Sequence, residues 1–253
     1  MGILNNKTAL VTGASRGLGR AIALRFAAEG ALVAVHYGKS ENEANAVVSE
    51  IEAAGGKAFK LQADIASVPS IEALFARLDT ELTQRTGSTQ FDILVNNAGV
   101  AEIIPFEETT ESQFDYVFDI NVKGMFFTTQ KALPRLRDNG RIINLSSVVS
   151  QFAYPPVAAY ASTKGAVNVF TLQIAALVAE RGITVNTLAP GAIETEMNPW
   201  LQSAEGQQMV LDMQALKRVG KATDVANAAV LLASDDSAWM TANFVNVSGG
   251  TRL

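Results

Sequence analysis

Short apolar runs alternate with longer stretches of helical periodicity along the chain. Val, Ile and Leu dominate the runs at 8–12, 31–36, 58–61, 91–95, 141–145, 184–188 and 244–247. Most of them lack polar alternation, as expected of strands covered on both faces. Between them the spacing predicts helices over roughly 17–30, 41–54, 68–85, 111–137, 157–181 and 222–233. The first carries Leu18, Ile22, Leu24, Phe26 and Ala27 and stops at Glu29-Gly30, a good helix terminator. Such alternation implies a parallel sheet wound by right-handed crossovers, with helices on both faces. With no Pro/Gly/Ser linker, internal repeat or low-complexity tract, residues 1–253 read as one domain. The least regular stretch, about 190–220, holds Pro190, Gly191, Pro199 and Trp200 and reads as a lid over a site.

Composition narrows the chemistry. A chain of 253 residues, 48% hydrophobic, suits one large α/β domain. Its net charge is -5 and its Lys and Arg are scattered, so neither a nucleic-acid nor an anionic-membrane surface is expected. The absence of cysteine excludes disulfides, zinc ribbons, iron–sulfur clusters and thiol nucleophiles. The one histidine, His36, excludes a His-rich metal site, so no metal is expected, and a Ser-His-Asp triad would have to use His36. The amino terminus enters an apolar run without a secretory signal, and no stretch of about 18 apolar residues follows, so a cytoplasmic address is the default expectation.

The first strand runs into Thr12-Gly13-Ala14-Ser15-Arg16-Gly17-Leu18-Gly19 and then a helix. Glycines there let the backbone turn tightly and approach a pyrophosphate held at the helix amino end. The spacing departs from G-x-G-x-x-G, and no Lys-Ser or Lys-Thr follows, which excludes a P-loop. NAD binders usually end the second strand on an acid that reads the ribose and repels a 2′-phosphate. Here Tyr37 holds that position and the first acid is Glu41, while Arg16, Lys39 and Ser40 offer charge and hydrogen bonds to a 2′-phosphate. NADP(H) is therefore expected over NAD(H). A ligand-free tight turn, with Arg16 and Lys39 as solvated charges, is the competing reading. His36 reads as a strand-end residue beside the adenine pocket rather than a catalyst. Asp64, followed by Ile65, is placed to accept from the adenine amino group, and Asn97, Ala98 and Gly99 let the fourth strand's exit pass close to the cofactor. Ordinary loop chemistry would explain each of these equally well.

Tyr160 and Lys164 lie four apart near the start of a predicted helix and share a face. They follow the fifth strand, at the carboxyl end of the sheet where ligands bind. Ketone reduction needs a proton donor as hydride arrives, and tyrosine, with a pKa near 10, is a serviceable acid. A lysine cation about 4 Å away would favour phenolate by roughly 4 kcal/mol at an effective dielectric near 20, lowering that pKa by up to about 3. A buried Tyr and a surface Lys without a joint role is the alternative.

Thr12-Gly13 with Gly17 and Gly19, Asn96-Asn97-Ala98-Gly99, Asn121, Ser147, Tyr160-x-x-x-Lys164, Pro190-Gly191 and the closing Val247-Ser248-Gly249-Gly250 together resemble the short-chain dehydrogenase/reductase family across nearly the whole chain. The resemblance implies a Rossmann-type, doubly wound, seven-stranded parallel sheet. It assigns Tyr160 as general acid/base, Ser147 as the donor to the substrate oxygen, and Lys164 as the residue that binds the nicotinamide ribose and tunes Tyr160. It gives Asn121 a water that relays protons from Lys164, and puts Thr195 against the nicotinamide amide with Ile193, Pro190 and Gly191 nearby. The choice of Ser147 over Ser146 rests on the family interval.

Val149, Gln151, Phe152, Tyr154, Met197 and Trp200 are expected to line the substrate pocket, a mostly apolar set suited to a weakly polar carbonyl or alcohol; ordinary loop packing is the alternative for each. Within the family the chain most resembles 3-oxoacyl-acyl-carrier-protein reductases and related ketoreductases, for example through Arg181-Gly182-Ile183-Thr184-Val185-Asn186. An acyl-carrier-protein thioester is thus a candidate partner, with Arg135, Arg137 and Arg181 as candidate contacts. Phe114, Phe118, Phe126, Phe127, Phe170 and Leu177 exceed what one sheet face needs, and the resemblance suggests a homotetramer; core burial is the alternative. An alcohol dehydrogenase working oxidatively, a non-catalytic NADPH-binding module, and a hydrolase using Ser147 with His36 are the rival functions.

Overall fold

The computed structural model describes residues 2–252. In chain order the elements are β1 (Thr8–Val11), α1 (Gly17–Ala28), β2 (Leu32–Tyr37), α2 (Glu41–Ala53), β3 (Lys57–Gln62), α3 (Val68–Thr86), β4 (Phe91–Asn96), α4 (Glu111–Phe118), α5 (Met125–Ala132) and β5 (Leu136–Leu145). They continue with α6 (Ala158–Val178), β6 (Thr184–Pro190), β7 (Ile193–Glu194), α7 (Ala204–Met213), β8 (Gly220–Lys221), α8 (Ala222–Ala233) and β9 (Phe244–Val247). Seven strands form a parallel sheet in the order β3-β2-β1-β4-β5-β6-β9. The strand order reverses between β1 and β4, and a crevice opens beyond the carboxyl ends of the strands at such a switch point.

The uninterrupted apolar runs have a simple cause. Alternate residues of β1, β2 and β4 feed two separate cores, one on each face of the sheet. Ala9, Val11, Val33, Val35, Ile93 and Val95 pack with Ile22 and Phe26 of α1 and Val225 and Val230 of α8. Leu10, Ala34 and Leu94 pack against Leu74, Phe75 and Leu78 of α3 and Ala175 and Val178 of α6.

Two boundaries differ from expectation. The stretch 111–137 is not one helix: α4 passes into a π-helical turn, Asp119–Gly124, before α5, and α5 ends at Ala132. Apolar periodicity survives one inserted residue, so the turn leaves little trace in sequence. The ending was signalled by Pro134, which cannot continue a helix, and β5 starts soon after with Leu136 opposite Phe91. The region 190–220 is also more ordered than its composition suggests. It holds the ten-residue α7, whose amino end is capped by Ser203 Oγ accepting from Gly206 N at 3.0 Å, and the parallel pair β7–β8.

Candidate active site

The glycine turn is shaped by steric limits. Gly13 and Gly17 have φ of +62° and +55°. A Cβ on Gly13 would stand 2.8 Å from Ala98 Cα, and one on Gly19 only 2.3 Å from the Gly13 oxygen. Thr12 Oγ1 accepts from the N–H groups of Asn97 (2.9 Å) and Ala98 (3.0 Å) and donates to Val95 O. Asn97 Nδ2 donates back to the Thr12 and Gly13 carbonyls at 2.8 and 3.1 Å. The exits of β1 and β4 are thereby stitched together. Helix α1 then begins with no side-chain cap and no acid in its first turn, so its leading N–H groups are free for an anion. Ser15 is buried in the turn, and Leu18 packs on the adjoining core.

At the end of β2, Tyr37 is buried and its phenol hydrogen-bonds Glu41; burial first, and the Glu41 carboxylate second, raise its pKa. Glu41 is itself paired with Lys60 at 2.7 Å. The nearest carboxylate is thus neutralised, and Lys39 and half-buried Ser40 stand beside it. Arg16 is exposed, 3.8 Å from Glu196. Asp64 is exposed and its Oδ1 accepts the Ala66 N–H at 3.0 Å, while Ile65 is buried. His36 is buried, with Nδ1 3.0 Å from Gly13 N and Nε2 3.2 Å from Ala63 O. Burial pushes its pKa down to about 4. Both ring nitrogens are engaged, so the hydrolase reading of Ser147 loses its base.

Beyond β5 and at the start of α6, Ser147, Tyr160 and Lys164 converge. The Ser147 side chain hydrogen-bonds the Tyr160 phenol. Lys164 Nζ donates to Leu145 O at 2.8 Å and lies 5.4 Å from the Tyr160 ring centroid. Ser146 is spent elsewhere, its Oγ donating to Lys164 O at 3.1 Å. Asn121, in the π-helical turn, accepts from Val100 N and donates to Val100 O, both at 2.8 Å, and donates to Thr163 Oγ1 at 3.1 Å. Thr163 Oγ1 donates to Tyr160 O at 2.6 Å, which locks the first turns of α6. A Cβ on Gly99 would lie 3.1 Å from Asn121 Oδ1 and 3.7 Å from Lys164 Nζ. Thr195 packs over Gly17, Ile193 is buried beneath it, and Gly191 sits against Ser248, so the chain after β6 folds back onto the glycine turn.

The electrostatics correct the sequence expectation. Tyr160 is not drawn toward neutrality: burial pushes its pKa up to about 12, against the lowering effect of the Ser147 hydrogen bond. Burial pushes Lys164 down to about 8. Desolvation wins because the ammonium is aimed at the Leu145 carbonyl rather than at the phenol oxygen. At pH 7 the site therefore presents a protonated phenol beside a lysine that is still mostly cationic.

Val149, Gln151, Phe152 and Tyr154 occupy the segment leading from β5 to α6, while exposed Met197 and half-buried Trp200 lie in the segment between β7 and α7. Arg252 lies 4.6 Å over the Phe152 ring and donates to Ala153 O at 3.1 Å. A separate small cleft runs between residues 102–117 and 156–159; none of those six residues lines it. There Glu102 buries an Oε2 with no hydrogen-bond partner. Arg135, Arg137 and Arg181 pair with Asp79, Asp92 and Asp138, and they precede or open β5 and β6 at the amino ends of those strands. They lie at the opposite end of the sheet from the site. Sequence reasoning passed over Thr12, Thr163 and Glu102. Thr12, directly before the glycine turn, is the one whose position could have signalled a role. Among the described residues no cluster of His, Asp or Glu suits a metal, and no helix is long and apolar enough to cross a membrane.

A family model for short chain dehydrogenases matches residues 7–206. A 3-oxoacyl-[acyl-carrier-protein] reductase of Staphylococcus aureus is 43% identical over 246 residues, 96% of this chain and 97% of its own length. The structure of the angucycline C-6 ketoreductase LanV with bound NADP is similar at a TM-score of 0.95 and 41% identity, covering 99% of this chain and 97% of that one. The reductase LugOII, which catalyses keto-reduction at C1 during lugdunomycin biosynthesis, gives a TM-score of 0.95 at 44% identity, covering 99% of this chain and 100% of its own.

Proposed function

The chain belongs to the short-chain dehydrogenase family, nicotinamide-dependent oxidoreductases of carbonyl and alcohol groups, and we propose that it is an NADPH-preferring ketoreductase with Tyr160 as proton donor. The observation that carries this reading is the gathering of Ser147, a protonated Tyr160 and a cationic Lys164 on the same sheet end as the glycine turn. A dinucleotide fits the residues present. The turn is a cradle that a Cβ at Gly13 or Gly19 would fill, and the amino end of α1 lacks any side-chain cap. The residues that would hold it are Gly13 to Gly19, Asn97 to Gly99, Tyr160, Lys164 and the Pro190–Thr195 segment, with Asp64 and Ile65 toward the adenine. NADPH is favoured over NADH because no free carboxylate stands at the end of β2: Glu41 is bound to Lys60 and Tyr37. Arg16, Lys39 and Ser40 supply the positive and donor groups for a 2′-phosphate.

Bound NADPH supplies the hydride. Ser147 holds the carbonyl oxygen against the phenol, and Tyr160 gives that oxygen its proton as negative charge builds there. The Lys164 ammonium stabilises the phenolate left behind and is the source for its reprotonation. The side-chain amide of Asn121 is already taken by Val100 and Thr163, so a relay water at this turn is held by other atoms of the loop.

The substrate we propose is a small, weakly polar ketone. An acyl-carrier-protein thioester is less well supported, because Arg135, Arg137 and Arg181 are neutralised at the far end of the sheet. Outward-facing Phe114, Tyr116, Phe126, Val169 and Leu172 on α4, α5 and α6 support a homotetramer built through these helices. The test is NADPH absorbance decay over a panel of ketones, β-keto esters and a 3-oxoacyl thioester, repeated with NADH and with Tyr160→Phe. Expected are a preference for NADPH, a best substrate among the uncharged ketones, and a loss of 10²-fold or more in Tyr160→Phe with NADPH binding kept. Equal efficiency with NADH, or turnover retained in Tyr160→Phe, would overturn the proposal. Faster alcohol oxidation than ketone reduction at pH 7 would reverse the direction.

A further inference from the structure

His36 closes β2 with its side chain turned back beneath the glycine turn. Its Nδ1 accepts the Gly13 N–H at 3.0 Å, and its main-chain oxygen accepts the Ala14 N–H at 2.8 Å. On the other side of the ring, Nε2 lies 3.2 Å from Ala63 O, one residue beyond β3. A ring that accepts at Nδ1 must carry its proton on Nε2, so a single neutral imidazole joins the exits of three adjacent strands. The residue is 2% exposed, and no bulk water is available to replace it.

The Gly13 peptide is thereby gripped from both ends. Its N–H is held by His36, while its carbonyl is held by Asn97 Nδ2 at 3.1 Å. Gly13 has φ +62°, a conformation that nothing intrinsic selects, and without an acceptor its N–H would be left unsatisfied in the interior. We propose that His36 is a positioning residue for the cofactor: as the Nε2–H tautomer it fixes the Gly13–Ala14 peptides in the one arrangement that presents the turn to a dinucleotide phosphate. The inference rests on the reading of this turn as the cofactor site. The imidazole touches no substrate and reaches the phosphate only through the backbone. Burial and the nearby Arg77 both keep the ring neutral at working pH, so the clamp is permanently set.

Two variants separate this role from simple packing. In His36→Asn the side-chain amide places an acceptor where Nδ1 stands, whereas His36→Phe keeps the ring volume and removes the acceptor. His36→Phe should weaken NADPH binding about tenfold by titration calorimetry and raise the KM for NADPH to match, with kcat at saturating NADPH within about threefold of wild type. His36→Asn should stay within about threefold on both. Amide exchange at Gly13 in the free protein should quicken in His36→Phe and not in His36→Asn. Wild-type affinity in a folded His36→Phe, or equal weakening in both variants, would refute the clamp. Should His36→Phe fail to fold, the long-range 15N–1H spectrum of the wild type decides: an Nε2-protonated ring is required, and an Nδ1-protonated ring refutes the proposal. If the wild type binds no NADPH while Gly13 exchange still responds to His36→Phe, the clamp stands and the cofactor reading falls.

Discussion

Replacing Lys164 by methionine should stabilise the fold while removing turnover. The side chain is 5% exposed, and its pKa falls from an ordinary 10.5 to about 8 because burial penalises the ammonium. At pH 7 that corresponds to about 3 kcal/mol of native-state destabilisation. Methionine keeps most of the length and volume without the charge. It also loses the hydrogen bond to Leu145 O, a loss of about 1 kcal/mol. The net expectation is a gain of about 2 kcal/mol, or roughly 4–8 °C in Tm for a chain of this size. Urea unfolding of both proteins from pH 7 to 10.5 checks the cause as well as the size. Between pH 8 and 10.5 the unfolded lysine holds a proton that the folded one has released, so wild-type stability rises with pH in this window. The advantage of Lys164→Met should therefore be full below pH 8 and close as pH approaches 10.5. A variant no more stable than wild type at pH 7, or an advantage unchanged across that window, would refute the assignment of a costly buried cation.

Gly19→Ala puts a Cβ 2.3 Å from Gly13 O and 2.4 Å from Asn97 Nδ2, so it should weaken NADPH binding at least tenfold while the far-UV circular dichroism stays native; unchanged affinity by calorimetry would remove this turn from the cofactor site. Arg16→Ala should raise the KM for NADPH about fivefold and leave that for NADH alone, with the difference shrinking at high salt because Arg16 is exposed; an equal effect on both cofactors would contradict a 2′-phosphate contact. Phe126 is 45% exposed and packs 5.5 Å from Phe170, so Phe126→Asp should shift the assembly to smaller species by light scattering; a wild-type monomer at micromolar concentration would overturn the interface.

Much of this architecture could be read from residue order because its causes are local. A parallel strand buried on both faces has to be apolar at consecutive positions, and Ala9-Leu10-Val11 supplies both cores from three residues. Tyr160 and Lys164 share a face by helical geometry alone. What escaped reading depends on direction or on distant partners. The π-helical turn at Asp119–Gly124 leaves the apolar spacing almost intact, and α7 is short, its Ser203 cap hidden among loop-forming neighbours. The sign of the Tyr160 shift turns on where an ammonium points, which spacing does not encode: Lys164 Nζ faces Leu145 O. The task of His36 is invisible for the same reason, since Gly13 lies 23 residues away along the chain.

The site concentrates features that weaken a fold: positive-φ glycines, a buried lysine, and a phenol held in a desolvated pocket. Their geometry persists because of what lies directly beneath. Asn96 Nδ2 donates to Thr129 Oγ1 and Asn144 Oδ1, Asn144 Nδ2 donates to Thr171 Oγ1, and Thr187 Oγ1 reaches the same Thr171 oxygen at 2.9 Å. This buried chain of side chains ties β4, β5 and β6 to α5 and α6. Apolar packing alone tolerates small rotations of a helix on a sheet, but directional hydrogen bonds at Thr171 do not. Two turns earlier on the same helix stands Lys164, and four residues before that Tyr160. Holding Thr171 against β5 and β6 therefore holds the proton donor against Ser147, and the cost of the buried cation falls on a framework that resists relaxing around it.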